Sequence, residues 1–265
     1  MKTFKTRFIE KESDVTIISD SKNAILRAKE CFYYHRELLE QYIKNDKDFL
    51  NSFSPIKVNT DLRIINNMVE VAEICDVGPM ASVAGALADL MLEAMNSNNN
   101  YKNINPSSFK VALVENGGEI AVDSEEPIKI ALYAGKNELN LNLGFMIKKK
   151  DCPIGIGTSS ATVGHAISFG QADAVTVFAK SCALADAAAT KICNVVKGPD
   201  IEKSIKKALE KANDIEGVIG TFISRENKVG HTGKLPQLIK IERDKTTILK
   251  DKLRSFIEAD FEIFR

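Results

Sequence analysis

The chain has 265 residues, 44% of them hydrophobic and 27% charged, enough to bury a sizeable core in one large domain or two fused small ones. Lys+Arg and Asp+Glu stand at 36 each, so there is no basic excess to neutralise phosphates, which argues against a nucleic-acid partner. The N-terminal stretch MKTFKTRFIEKESD has no apolar signal-peptide core, and the longest apolar stretch, VGPMASVAGALADLMLEAM, holds Asp89 and Glu93; a membrane span is disfavoured and the protein reads as cytoplasmic.

In chain order, TFKTRFIEKESDVTIISD reads as two short strands around a polar turn. Asp20 or Ser21 then caps a helix to about Asn45, with Ile25, Leu26, Leu38, Leu39, Tyr42 and Ile43 at near-helical spacing. A short helix around Phe49 follows, and a third runs from near Thr60 to about Cys75, where DVGP breaks it. A fourth, Met80 to about Met95, is apolar nearly all round and so belongs in the interior. Asp89 and Glu93 share a face of it and read as groups at its solvent edge. After a polar connection the period changes to two. KVALVENGGEIAV is a hairpin turning at Asn116-Gly117-Gly118, because residues that tolerate positive φ are needed there. IKIALYAG and LNLNLGFMIKK continue as strands, followed by a Gly/Ser/Thr-rich segment, GIGTSSATVGHAISFG, read as a loop. A strand DAVTVFA, an Ala-rich helix from Ser181 to Val196, and an amphipathic helix capped at Pro199-Asp200 and running to about Asn213 come next. The chain closes in strands with a glycine-rich stretch, GHTGK, that reads as a hairpin turn.

The tetrapeptide ALAD occurs twice, at Ala86–Asp89 and Ala183–Asp186, each time inside an apolar helix. With strands and helices appearing twice in succession, this points to an α+β fold in one domain over 1–265, built of two repeated halves at about 1–105 and 106–265.

Three features carry chemistry. Gly155, Gly157 and Gly164 interleave with Thr158, Ser159, Ser160 and Thr162, a composition whose backbone N–H groups and hydroxyls suit phosphate oxygens. Asp186 and Thr190 lie four apart, so they share one helix face and together offer hard oxygen ligands to Mg²⁺. The alternative for each is structural: a buried Asp bonded to backbone N–H, and a mid-helix Thr bonded to the carbonyl four residues back. His165 follows Gly164 in the same segment and is the candidate acid or base. The 5 cysteines are odd in number and form no C-x-x-C, so a disulfide framework is not indicated. Cys152 follows Lys148, Lys149 and Lys150, which would lower its pKa.

Read together, NGGEI (Asn116–Ile120), TSSATVGH, SFGQADAVTV and LADAAAT, with Ala185, Asp186 and Thr190 in an A-D-x-x-x-T pattern, resemble the ApbE-like superfamily. Its flavin transferases are Mg²⁺-dependent and move FMN from FAD onto a protein threonine. VGPMASVAGALAD and VENGGEI resemble more closely an ApbE-related family found largely in archaea and anaerobic bacteria. The resemblance implies a duplicated T-fold, with antiparallel sheets and helix pairs packed on one face. It implies Asp186 and Thr190 as metal ligands, His165 beside them in catalysis, and Asn116, Gly117, Gly118, Thr158, Ser159, Ser160 and Gly164 around a cofactor, FAD or FMN. Here His165 is followed by AISFGQAD, without the Asp-Pro of the transferases. Two other readings stay open at this point: a non-flavin component of anaerobic sulfur assimilation and homocysteine formation, and a non-catalytic subunit of a homo-oligomer.

Overall fold

In a computed structural model, residues 2–96, 109–161, 170–242 and 244–248 are described, together with the backbone of 256–259. The chain begins with strands β1 (Thr3–Glu10) and β2 (Ser13–Ser19), then helices α1 (Lys22–Asn45), α2 (Lys47–Asn51) and α3 (Arg63–Cys75), a 3₁₀ turn Pro79–Ser82, and α4 (Val83–Asn96). Strands β3 (Val111–Asn116) and β4 (Glu119–Ser124) form the expected hairpin, with β5 (Ile128–Ala131) and β6 (Leu143–Ile147) after it. Then come β7 (Ile154–Ser159), β8 (Ala174–Ala179), α5 (Cys182–Val195), α6 (Ile201–Asn213), β9 (Val218–Arg225), β10 (Lys228–Gly233), β11 (Gln237–Lys240) and β12 (Phe256–Ala259).

The helix ends follow from side-chain oxygens that satisfy first-turn N–H groups. Ser21 caps α1 at Ala24, Ser181 caps α5 at Leu184, and Asp200 caps α6 at Lys203. Helix α3 stops at Asp76, whose left-handed backbone lets the Val77 N–H bond back to the Ala72 carbonyl.

The main sheet is antiparallel, in the order β10-β9-β8-β7-β4-β3-β2-β1-β12, and a three-stranded sheet runs β11-β6-β5. The fold is α+β, as expected. Strands β1 to β4 lie side by side in chain order around α1–α4, strands β7 to β10 do the same around α5 and α6, and the two runs join where β4 pairs with β7. Strand period two puts Ile17, Ala112, Val114, Ala121, Val175 and Val177 on the helix-covered face. It puts Ile18, Val111, Leu113, Val122 and Phe178 on the other, under the small sheet. Phe145 of β6 meets Phe178 edge-on at 4.8 Å and Phe222 at 5.9 Å, joining the two sheets.

Two segments differ from their reading. The Gly/Ser/Thr segment is not a loop from its start, since Ile154–Ser159 is a central strand between β4 and β8. GHTGK falls in and just after β10; the hairpin turns earlier, at Glu226, where φ is +54°.

Candidate functional site

Asn116, Gly117, Gly118, Thr158 and Asp186 converge where the first turns of α4 and α5 cross above the β3–β4 turn and the end of β7. Three glycines allow the approach. A methyl group at Gly157 would lie 2.5 Å from the Ala185 carbonyl carbon, and one at Gly155 would lie 2.1 Å from the Ser181 carbonyl carbon, so α5 rests directly on the β7 backbone. A methyl at Gly85 would lie 2.4 Å from the Cys182 carbonyl oxygen, so α4 and α5 touch backbone to backbone. The glycines of β7 therefore seat a helix, which is a different use from opening the backbone to phosphate.

Asp186 is on the first turns of α5 and keeps partial exposure, as does Thr190 one turn further along the same face. Among the described residues, Asp186 accepts one hydrogen bond, from the Gly85 N–H to Oδ2 at 2.9 Å, leaving Oδ1 for another partner. Burial raises its pKa to about 7, and repulsion from Asp89 adds to this, while the Gly85 N–H opposes it. Glu119, the first residue of β4, stands beside it. Its carboxyl is also pushed up, first by burial and then by the negative charges of Asp186 and Glu115, and the N–H groups of Glu119 itself and Thr158 offset only part of that. Two neighbouring carboxyl groups so placed favour a cation or a retained proton between them.

The β3–β4 turn is made by Gly117 and Gly118, at φ +69° and +122°. Asn116 is buried and donates from Nδ2 to the Ala84 carbonyl at 3.1 Å, tying this turn to the start of α4. The Thr158 hydroxyl lies 3.1 Å from that of Thr176 across the strand pair, so it is engaged within the sheet. Ser159 ends β7 and Ser160 follows it, both 9% exposed. The structure thus brings Asn116, Gly117, Gly118, Thr158 and Asp186 to one place. Gly164 and His165 lie outside the described residues.

Several readings are corrected. Asp89 is not at a solvent edge: it accepts from the N–H groups of Cys182 and Ala183, both at 2.8 Å, at the head of α5. Glu93 alone faces solvent, paired with Arg63 at 2.6 Å. The Cys152 thiol is pushed up, not down, by burial first and then by Asp123 and Asp151, with the Ser124 backbone opposing; Lys149 is committed to Glu125 at 2.8 Å. The other thiols are buried, and burial pushes those of Cys31 and Cys75 up to about 12 and that of Cys182 well above its ordinary value, so these three are not poised as thiolates. Glu119 and Asp89 were not named as site residues by the sequence. Their traces were there, in the acid after Gly-Gly and in the repeated ALAD.

The family profile described as "AbpE bacteria" matches residues 2–223. The chain belongs to this family. A UPF0280 protein of Methanocaldococcus jannaschii is 44% identical over 243 residues, which cover 91% of this chain and 95% of that one. A UPF0280 protein of Methanothermobacter thermautotrophicus is 38% identical over 209 residues, 78% of each chain. Among solved structures, a mutant of the flavin transferase ApbE from Vibrio cholerae superposes with TM-score 0.51 and 13% identity over 88% of this chain and 97% of that one. The fold is therefore that of ApbE-like proteins. Among the described residues no helix is long and apolar enough to cross a membrane.

Proposed function

We propose that the protein binds a flavin or nucleotide pyrophosphate, such as that of FAD, through Mg²⁺ held at Asp186 and Thr190, with FMN transfer as the reaction this complex would serve. The observation that carries the reading is Asp186 itself. It is a carboxylate held by one oxygen on the Gly85 N–H, with the other oxygen unengaged among the described residues, on the same helix face as Thr190 and next to Glu119.

The donor set fits the cation in part. Among the described residues no group of three or more His, Cys, Asp or Glu side chains is placed to hold a metal ion. Asp186 and Thr190 would therefore supply two hard oxygens, and ligand phosphates and water the rest, which is the habit of Mg²⁺. A cation here would also offset the burial that raises Asp186, by favouring its charged form. The chemistry it would supply is charge neutralisation at the phosphoanhydride. The chain's own residues do the remaining work. The Gly85 N–H orients the Asp186 carboxyl. Glu119, pushed toward its protonated form, offers a hydrogen-bond donor where an ionised acid would repel a phosphate. Gly117 and Gly118 keep the approach free of side chains. The Vibrio cholerae neighbour is named as a flavin transferase, which supports the choice of flavin.

The test is calorimetric titration of the purified chain with FAD, with and without Mg²⁺, alongside Asp186→Ala. Mg²⁺-dependent binding that the variant loses is expected, followed by release of AMP when an acceptor peptide is added. A folded wild-type protein that takes up no FAD in the presence of Mg²⁺ would refute the reading.

A further inference from the structure

The two ALAD segments do the same thing to each other. Asp89 reaches from α4 to Cys182 and Ala183 at the head of α5, accepting at 2.8 Å on each carboxylate oxygen. Asp186 reaches from α5 to Gly85 near the head of α4, accepting at 2.9 Å. Gly85 precedes Asp89 by one helical turn, and Cys182 precedes Asp186 by one helical turn. Each aspartate thus binds the N–H one turn before the other aspartate, so the two helices cap each other across their contact. The Cys182 and Ala183 N–H groups open α5 and have no partner within it, and a carboxylate is the favoured acceptor there.

The symmetry is broken at one point. Asp89 uses both oxygens on α5. Asp186 uses one on α4, and among the described residues its other oxygen has no hydrogen-bond partner. We infer that Asp89 is the positioning residue for Asp186: it holds the first turn of α5 so that the free oxygen of Asp186 stays aimed at the ligand. The helix is rigid over the single turn from Cys182 to Asp186. Displacement of its head therefore moves Asp186, and with it the bond to Gly85. This role rests on the reading of Asp186 as a ligand-facing group.

The test uses the full chain and the variant Asp89→Asn, which keeps the side chain's shape and one acceptor. Two measurements separate the two readings. The first is amide hydrogen exchange at Gly85, Cys182 and Ala183, which needs no ligand. The second is Mn²⁺ affinity in the presence of saturating FAD, followed by the electron paramagnetic resonance of the free ion. If Asp89 positions Asp186, Gly85 loses protection together with Cys182 and Ala183, although Asp89 does not touch it, and Mn²⁺ binding weakens about 10- to 100-fold, as when a residue orienting a metal ligand is lost. Protection lost at Cys182 and Ala183 with Gly85 unchanged would reduce Asp89 to a local cap and overturn the inference. A wild-type chain that binds no Mn²⁺ with FAD present would remove the cation reading, and the exchange pattern would still decide whether Asp89 fixes the Asp186–Gly85 contact. Far-UV circular dichroism and a cooperative melt confirm the variant's fold; if it does not fold, Asp89→Ser, with a hydroxyl acceptor, takes its place in both measurements.

Discussion

Asp186 holds its proton more tightly than an exposed aspartate, with its pKa raised from 3.8 to about 7. Between those values the folded chain binds more protons than the unfolded one, so this group makes stability fall as pH rises from about 4 to about 7. Asp89, raised to about 6 mainly by burial, acts the same way over the lower part of that window. Asp186→Asn removes the ionisation and keeps an acceptor for Gly85. The variant should therefore melt at or below the wild-type temperature near pH 4 and above it near pH 7.5, in melts followed by circular dichroism. A constant offset at both pH values would show that Asp186 titrates normally. A carboxylate that weakens the folded state at neutral pH is a common mark of a binding site, where function holds a group that stability alone would replace.

The element that decides the site is the seam between β7 and α5. Two glycines, Gly155 and Gly157, remove the side chains that would hold the helix away from the sheet. Gly157→Ala should force α5 off β7 or bend it, with an overpacking cost of about 1–3 kcal/mol. It should also displace Asp186, whose backbone N lies 2.6 Å from where the new methyl would sit. Urea unfolding measures the first effect and FAD titration with Mg²⁺ the second; an alanine variant of wild-type stability would mean that the seam relaxes freely. The seam also explains why β7 read as a loop. Gly, Ser and Thr in succession carry a weak strand signal, and the reason for the glycines is a helix that arrives 25 residues later in the chain, a relation with no local trace.

For the whole molecule, one open sheet carries a helical layer on one face and a small sheet on the other, each with its own apolar cluster. Phe145 is the main link on the second face, fully buried between Phe178 and Phe222. Phe145→Ala should cost about 3–5 kcal/mol, read as a lowered urea midpoint with unchanged slope if the small sheet unfolds with the rest. A separate early transition would show the small sheet to be an independent unit. The helical layer carries the candidate site, so the unit that releases first decides whether the proposed ligand binding would survive partial unfolding.

By itself the sequence determined the helices, through apolar spacing and the cap residues Ser21, Ser181 and Asp200, and the β3–β4 turn, through Gly117 and Gly118. It also marked Asp186 as an acid in an apolar helix. These are local properties, each settled within a turn or two of chain. The tertiary structure alone decided the rest: that β4 lies beside β7, that Glu119 adjoins Asp186, and that Asp186 meets Gly85 across 101 residues while Asp89 meets Cys182 across 93. Such pairings depend on which helices the glycines let touch, and that is fixed only when the helical layer settles onto the sheet.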